Sequence, residues 1–376
     1  MKLLIPGPVS TRQEVKAAMA QDIAPWDNDF RPIYEDVRRR VLKIAGGDEQ
    51  THVTLALQGC GHFAMEAAIR TFLPPGGKIL IPLVGAYADR LARLATEAGR
   101  IVCALVVEKE VPLSPALVAD ALAADPTISH VGMIYSETGS GVIHDPAAIG
   151  AVVGRAKRRL LVDAVSAFGA LPLDVSRQPE LDAAIFTSNK CLEAMPGIAF
   201  AVARRDRLDA CVGNAESWSF DLTDIYRMGV RPGSGGIFRF TPAVQVLAGF
   251  HAALDLFDAE GGQAARLVRY RANASVLYNG VIGLGLDPYL PYAAQGPIVV
   301  NVAAPDDPAW HLQKFVDLLK QKGWLISNFY NTERPSFRVG CIGDISPNEM
   351  REFVVALDGA LEILGIRNRA SRRTAA

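Results

Sequence analysis

The chain has 376 residues, of which 50% are hydrophobic and 21% are charged, and its formal net charge is −1. This balance provides no general electrostatic attraction to nucleic acids or anionic membranes, so an anionic ligand must be held by a local cluster of donors. The length exceeds the roughly 250–300 residues at which one hydrophobic core usually stops growing, which predicts two domains.

The cysteines indicate a reducing compartment. There are five of them, scattered without a CxxC pair, and the sequence carries no secretory signal. This pattern predicts a cytoplasmic protein. Cysteines and histidines show no metal-ligand spacing, so we expect no metal site, and no apolar run reaches the roughly 18–20 residues of a membrane span.

The chain begins with an extended, proline-rich segment at residues 1–25, which we expect to pack across domains or across subunits. From about residue 50 to 205, short apolar runs alternate with amphipathic segments. The predicted strands are VTLAL (53–57), KILIP (78–82), IVCALVV (101–107), HVGMIY (130–135), RLLVD (159–163), AAIF (183–186) and IAFAVA (198–203). Such an alternation predicts an α/β fold with a mostly parallel seven-stranded sheet covered on both faces.

The pattern changes in the last third of the chain. Residues 242–283 are typical of helices, and a new alternation of strands and helices begins at PIVVNV (297–302). This change predicts a smaller C-terminal α+β domain. We place the large domain at residues 26–255, the small domain at 256–366 and a disordered basic tail at 367–376.

A glycine-rich turn, Gly59-Cys60-Gly61, separates the first predicted strand of the sheet from a helix that begins at His62 or Phe63. Glycines let the backbone approach an anion closely, and the N–H groups and dipole of a helix N-terminus favour a phosphate. The turn is neither a Walker loop nor a dinucleotide fingerprint. It therefore predicts either a phosphate site or a tight connection alone.

Two further strand ends carry polar residues. Asp163 closes a buried apolar strand, and the glycine-flanked loop YSETGSGVIHDP (135–146) contains another strand end. A carboxylate buried alone is strongly destabilised, so Asp163 must be paired. It either caps its own turn through Ser166 or faces a protonated ring nitrogen or a metal, and the metal is the weaker choice.

Lys190 stands in the polar gap between the strands predicted at 183–186 and 198–203. Most lysines lie on solvated faces, but this one falls at the same sheet edge as the glycine turn, the hydroxyl-rich loop and Asp163. Ligands of parallel sheets collect at that edge, and a lysine with a lowered pKa there can form a Schiff base. Pyridoxal 5′-phosphate (PLP) requires all four elements, so the sequence predicts a PLP site.

With these residues the chain resembles the class-V aminotransferases of fold type I, which bind PLP. The resemblance covers nearly the whole chain and includes LLIPGPVS (3–10), GCGH (59–62), VGAYADR (84–90), SETGSG (136–141), SNK (188–190) and SFRVGCIGD (336–344). Within the family, other segments are similar to members that move the amino group of 2-aminoethylphosphonate to pyruvate, giving phosphonoacetaldehyde and L-alanine. These segments are PWDNDF (25–30), DPTISH (125–130), DAVSAFG (163–169), SNKC (188–191) and FRFT (238–241).

The resemblance implies roles for single residues. Lys190 would hold PLP covalently and carry a proton, and Asp163 would keep the ring nitrogen protonated. Tyr87 would stack on the ring. The other expected cofactor contacts are Cys60, Gly61, His62, Ser136, Thr138, Ser188 and Thr241.

The resemblance also implies partners. Thr241 would reach the phosphate of the other subunit, so we expect a homodimer with shared active sites. Arg338 would clamp the carboxylate of the 2-oxo acid in a bidentate fork, and Trp26 belongs to the expected substrate site. For the phosphonate of the amino donor, the loop from Arg227 to Arg239 and Arg31 remain alternatives.

Two departures keep other activities open. GCGH looks more like the turn of alanine–glyoxylate aminotransferases than the GSGT or GSGS turns of the phosphonate enzymes, and SETGSG replaces the more usual SETTTG. An alanine– or serine–glyoxylate aminotransferase is therefore the alternative. A PLP-dependent lyase would need a nucleophilic cysteine, and Cys341 lies within a predicted strand, where an inert thiol is expected. A non-enzymatic binding protein would lack Lys190 or Asp163, and both are present.

Overall fold

A computed structural model of the chain describes residues 1–234 and 236–371. In this part the strands are β1 (Lys2–Leu3), β2 (His52–Gly59), β3 (Lys78–Pro82), β4 (Ile101–Leu105), β5 (His130–Ile134), β6 (Arg159–Asp163), β7 (Leu181–Thr187), β8 (Gly197–Arg204), β9 (Val299–Ala303), β10 (Trp324–Leu325) and β11 (Ser336–Gly340). The α-helices are α1 (Gln13–Ala18), α2 (Phe30–Ile44), α3 (Gly61–Phe72), α4 (Ala86–Glu97), α5 (Pro115–Ala124), α6 (Pro146–Arg155), α7 (Arg205–Ala210), α8 (Leu222–Ile225), α9 (Val244–Glu260), α10 (Gly262–Gly283), α11 (Leu312–Gln321) and α12 (Pro347–Leu364).

The central sheet has seven strands in the order β2-β8-β7-β6-β5-β3-β4. Only β8 runs against its neighbours, which are β2 and β7. Every residue of β5 and β7 is buried, as expected for strands covered by helices on both faces. The predicted α/β fold with a mostly parallel seven-stranded sheet is confirmed, and the five parallel strands β3 to β7 bring their carboxyl ends to one edge.

The described residues form two main hydrophobic clusters, and α10 runs from one to the other. Leu267 and Tyr270 of this helix pack in the cluster around the large sheet. Ala274 and Leu277 pack in the smaller cluster, together with β9, β11, α11 and α12. Because a single helix contributes to both cores, we propose that the domains divide within α10, near residues 271–273, rather than at 255.

The N-terminal segment crosses between the two clusters. β1 pairs in parallel with β10, and the Lys2 amine forms ion pairs with Asp344 and Glu349. Further along, α1 packs on α9, which belongs to the cluster around the large sheet. Residues 1–25 therefore join elements that are far apart in the sequence.

The residues that follow α12 pack back against the smaller of the two clusters. Within the predicted tail, residues 367–371 form hydrogen bonds: Arg369 Nη1 lies 2.7 Å from Asp358 Oδ1, and Ser371 N lies 2.8 Å from Asp287 Oδ2. Residues 372–376 of the predicted tail lie outside the described residues. Within the described part of the chain, none of the helices has the length and apolar character needed to span a bilayer.

Candidate active site

A cavity of about 210 Å³ opens at the carboxyl edge of the sheet, where the four polar strand ends meet. It lies between the N-terminal turns of α3 and α4, the end of β6 and the loop after β7. Of the residues predicted for the site, the cavity is lined by Cys60, Gly61, His62, Tyr87, Ser136, Asp163 and Lys190. These residues come together because the strands that carry them end at the same edge of the sheet.

The glycine turn forms one wall of this cavity. Gly59 ends β2 with φ +120°, in a region that favours glycine, and a Cβ on Gly61 would lie 2.5 Å from Val165 Cγ2. Cys60 is the N-cap of α3 and, among the described residues, its side chain makes no cap hydrogen bond. N–H groups of the first turn of α3 are therefore available to an anion, and the helix dipole favours one there.

Asp163 lies at the end of β6 in the cavity wall. Its Oδ1 accepts a hydrogen bond of 3.0 Å from the Val165 N–H. Burial raises the pKa of the carboxyl to about 6, and this effect outweighs the opposing hydrogen bond and the nearby charges of Lys190 and Arg90. A cationic N–H group placed in the cavity would stabilise the ionised form of such a buried carboxyl.

Lys190 lies in the loop after β7 and is covered by the N-terminal segment. A Cβ on Gly7 would lie 2.6 Å from Lys190 Nζ, so the lysine packs directly against the glycine backbone. Burial, and secondarily the charge of Arg338, lowers the pKa of the amine to about 8. An amine in this state is readily available as a neutral nucleophile near physiological pH.

This shift predicts how Lys190 titrates. In the cofactor-free chain, acetylation of Lys190 will be half-maximal near pH 8, because the folded chain releases the proton there while an unfolded chain keeps it until about 10.5. By linkage, the folded cofactor-free chain gains stability as pH rises between these two values. Competitive labelling across a pH series, read by peptide mass spectrometry, measures the midpoint. Lys78, whose pKa is raised by its hydrogen bond to Asp125, is the internal control. A midpoint for Lys190 as alkaline as that of Lys78 would contradict the assignment.

A second cavity, of about 410 Å³, adjoins the first and shares Tyr87 and Lys190 with it. Arg338 of β11 lies in its wall, 2% exposed. The guanidinium donates to the Thr138 carbonyl at 2.8 Å and to Ser327 Oγ at 3.3 Å, while Nε has no partner among the described residues. These bonds fix the side chain and leave donor capacity for an anion in the cavity.

Four predicted residues do not line either cavity in the described part of the chain. Ser188 donates its hydroxyl to the Met195 carbonyl at 2.7 Å, within its own loop. Thr138 contributes its carbonyl to Arg338, and its own Oγ1 is buried without a partner among the described residues. Thr241 and Trp26 are exposed.

Three polar residues at or beside the cavity, Thr187, Arg90 and Glu137, were not predicted as site residues from the sequence. Thr187 lines the first cavity, and its buried Oγ1 has no partner among the described residues. Arg90 lines it too, with its guanidinium carbon 5.0 Å from the centre of the Tyr87 ring. Glu137, fully buried, accepts from the N–H groups of Tyr87 and Gly139. Helical spacing from Tyr87 was a signal for Arg90; nothing in the sequence distinguished Thr187 from Ser188.

The residues present fit PLP. A phosphate monoester needs hydrogen-bond donors. The N-terminus of α3, which has no side-chain cap, and the Thr187 hydroxyl, which has no partner among the described residues, supply them in one cavity. A pyridine nitrogen needs an acidic partner, which Asp163 supplies. The covalent attachment needs an amine, and Lys190 lies in the same wall. PLP is thus matched by the donor set of this cavity.

The sequence model of the family described as Aminotransferase class-V matches residues 13–284. Among individual proteins, the chain is 41% identical over 364 residues to a 2-aminoethylphosphonate–pyruvate transaminase from Pseudomonas aeruginosa, with 97% of each chain covered. It is 40% identical over 374 residues to a 2-aminoethylphosphonate–pyruvate transaminase 2 from Burkholderia lata, covering 100% of this chain and 98% of the other.

Solved structures show the same fold. Pyridoxamine–pyruvate aminotransferase from Mesorhizobium loti superposes with a TM-score of 0.87 at 25% identity, covering 98% of this chain and 93% of that one. Ureidoglycine–glyoxylate aminotransferase from Bacillus subtilis also gives a TM-score of 0.87, at 22% identity, covering 98% and 95%. At that lower identity the likeness concerns the fold alone.

Proposed function

This chain belongs to the class-V aminotransferase family, and we propose that it transfers the amino group of 2-aminoethylphosphonate to pyruvate, giving phosphonoacetaldehyde and L-alanine. Relatives 40–41% identical over nearly the whole chain support the choice of substrates, because their names specify this pair. The structural observation that carries the proposal is that Lys190 and Tyr87 line both cavities. One amine thus faces the cofactor cavity and the cavity that contains Arg338.

PLP is the cofactor, and Lys190 and Asp163 are the residues that we assign to catalysis. When bound, PLP withdraws electrons from the amine-bearing carbon of the substrate once a proton leaves that carbon. Lys190 Nζ takes this proton and returns it, because its lowered pKa of about 8 keeps a useful fraction of the amine neutral. Asp163 holds a proton on the ring nitrogen, and its ionised form is stabilised by that contact.

The remaining contacts position and shield the reacting groups. We assign the phosphate to the first turn of α3, with Cys60, Gly61 and His62, and to Thr187. Tyr87, which lines the same cavity, would pack on the face of the ring. Gly7 lies against Lys190 and limits the access of water to its amine.

Arg338 binds the carboxylate of pyruvate and alanine. Its two terminal nitrogens are already oriented by the Thr138 carbonyl and by Ser327, so little ordering is left for substrate binding. We assign the phosphonate to the same arginine. Arg239, one of the alternatives from the sequence, instead donates to the Trp218 carbonyl at 2.7 Å and to Asp224 at 2.8 Å.

The proposal includes a homodimer in the cytoplasm. Thr241 is exposed, and near it Trp218 and Phe240 form an exposed aromatic pair with ring centres 5.1 Å apart. A second copy of the chain that covers this surface would take the pair out of water and bring Thr241 to the partner's phosphate site. The five cysteines are free thiols, which suits a reducing compartment.

Cys341 does not favour the lyase alternative. It is fully buried in the small core, and burial raises the pKa of its thiol to about 12. A catalytic cysteine needs a lowered pKa and an accessible position.

The substrates are tested with the purified protein loaded with PLP. Mixing it with 2-aminoethylphosphonate and pyruvate will produce L-alanine and phosphonoacetaldehyde, quantified by chromatography and by phosphorus NMR. Parallel half-reactions with alanine and serine, followed by cofactor absorbance and by transfer to glyoxylate, provide the comparison. Transfer from serine or alanine to glyoxylate with no transfer from 2-aminoethylphosphonate would refute the assignment of substrates and leave the family unchanged.

A further inference from the structure

The hydroxyl of Tyr270 lies between the loop that carries Lys190 and the segment that follows β11. It donates to Glu193 Oε1 at 2.6 Å and lies 3.3 Å from the Cys191 carbonyl, both in the loop that carries Lys190. On its other side it accepts from the Gly343 N–H at 3.3 Å. One buried oxygen of α10 therefore contacts the lysine loop and a segment of the small unit.

Charged groups reinforce the contact with the lysine loop. Glu193 is 5% exposed, and its carboxylate lies 2.7 Å from Arg269 Nη2. Arg266 Nη1 donates to the Cys191 carbonyl at 2.8 Å. Glu260 pairs with both arginines as well, at 2.6 Å from Arg266 Nη2 and 2.7 Å from Arg269 Nε, so the charges on this side of Tyr270 compensate one another and their positions are well defined.

The segment on the other side leads back to Arg338. Residues 341–345 directly follow β11, which carries the arginine. Asn273 donates to the carbonyls of Cys341 and Ile345, and Arg269 donates to those of Gly343 and Ile345. This segment is thus held to α10 by four hydrogen bonds that do not involve the Tyr270 hydroxyl.

From these contacts we infer that Tyr270 is a positioning residue, whose hydroxyl fixes the loop of Lys190 relative to the strand of Arg338. The inference rests on the proposed roles of Lys190 and Arg338. Without the hydroxyl, residues 341–345 keep four hydrogen bonds to α10, whereas the lysine loop keeps two, from Arg266 to the Cys191 carbonyl and from Arg269 to Glu193. Loss of the hydroxyl therefore displaces the lysine loop more than the arginine strand. The reacting amine then loses its alignment with the substrate carbon, while the carboxylate site keeps its geometry.

The test is Tyr270→Phe, which removes one oxygen and keeps the ring. In the PLP-loaded enzyme kcat will fall about tenfold, while the KM for the 2-oxo acid changes less than about twofold, because misplacement of a reacting group by a fraction of an ångström lowers the rate without weakening ground-state binding. In the cofactor-free chain, the labelling midpoint of Lys190 will move upward from about 8, since a loosened loop reduces the burial that lowers its pKa.

Tyr278→Phe is the matched control. Tyr278 lies further along the same helix, is 7% exposed and donates one hydrogen bond of 3.0 Å to the Leu290 carbonyl, away from both cavities. This variant will keep the wild-type kcat and labelling midpoint. Glu193→Ala removes both the Tyr270 hydrogen bond and the Arg269 ion pair from the loop side, so it will lower kcat more than Tyr270→Phe while the KM for the 2-oxo acid again changes little.

Three outcomes would overturn the inference. They are an unchanged kcat and labelling midpoint in Tyr270→Phe, an equal loss in Tyr278→Phe, and a loss confined to KM. The labelling measurement needs no substrate, so it stays informative if the enzyme uses a different amino donor from the one proposed. In that case the kinetic comparison is made with the donor and acceptor that the wild-type enzyme uses.

Discussion

Lys190→Ala will lower the rate of amino transfer by about 10⁴-fold or more, which is the largest effect expected for any single substitution. The change removes the amine to which we assign both the proton transfer and the covalent attachment of PLP. Gly7 and Arg338 remain, so the cavities keep their shape apart from the missing side chain. Steady-state alanine formation from 2-aminoethylphosphonate and pyruvate measures the loss.

Two further measurements separate this effect from a general loss of structure. Mass spectrometry after borohydride reduction will find PLP attached to the wild-type chain and none attached to the variant. Lys78→Ala, at the opposite edge of the sheet where Lys78 pairs with Asp125 at 2.9 Å, will retain wild-type turnover. Full turnover by Lys190→Ala would refute the central assignment.

Asp163→Asn is expected to give the second largest loss, about 10³-fold in kcat. An amide cannot hold a proton on the ring nitrogen, so the electron demand at the substrate carbon falls while binding of the phosphate end is kept. The kcat of the variant and its cofactor absorbance spectrum report this change. Wild-type kcat in the variant would contradict the role of the carboxylate.

Stability distinguishes this role from a structural one. Burial raises the pKa of Asp163 to about 6 from 3.8, so the folded cofactor-free chain binds more protons than the unfolded chain between these values. Its stability therefore falls as pH rises through that window, and at pH 7 the ionised carboxyl is unfavourable. The cofactor-free Asp163→Asn chain will unfold at a temperature no lower than that of the wild type.

For Asp182→Asn we expect the opposite pattern, a loss of stability without a loss of kcat. Asp182 is fully buried at the other edge of the sheet and pairs with Arg159 at 2.5 Å and with Arg207 at 2.9 Å. Loss of its charge leaves these cations without their partner and will destabilise the fold by about 3 kcal/mol. Below the unfolding temperature this variant will keep its kcat, which shows that lost stability alone does not imitate Asp163→Asn.

The strands and the site edge were predictable because both depend on the backbone and on the apolar pattern. Buried parallel strands read as continuous apolar runs, and their carboxyl ends share an edge by topology. The choice between Thr187 and Ser188 was not predictable in this way. Neighbouring residues at the end of a strand point in opposite directions, and the loop geometry decides which hydroxyl faces the cavity.

Contacts between distant segments were also beyond the sequence. A tyrosine in a helical stretch is typical of a core position, and nothing near Tyr270 in the sequence indicates the Lys190 loop or Gly343. The position of the domain boundary depends on tertiary contacts in the same way. The sequence pattern gives the helical period of α10, but the switch from one core to the other along its length depends on tertiary packing.

The pairing of the N-terminal segment has a consequence for the order of folding. Leu3 pairs with Leu325, and Lys2 with Asp344, so the cover that Gly7 places over Lys190 depends on contacts between opposite ends of the chain. Closing so long a loop is unfavourable until its far end is structured. We therefore expect the N-terminal segment to cover Lys190 only after the small domain, which supplies its pairing partners, has folded.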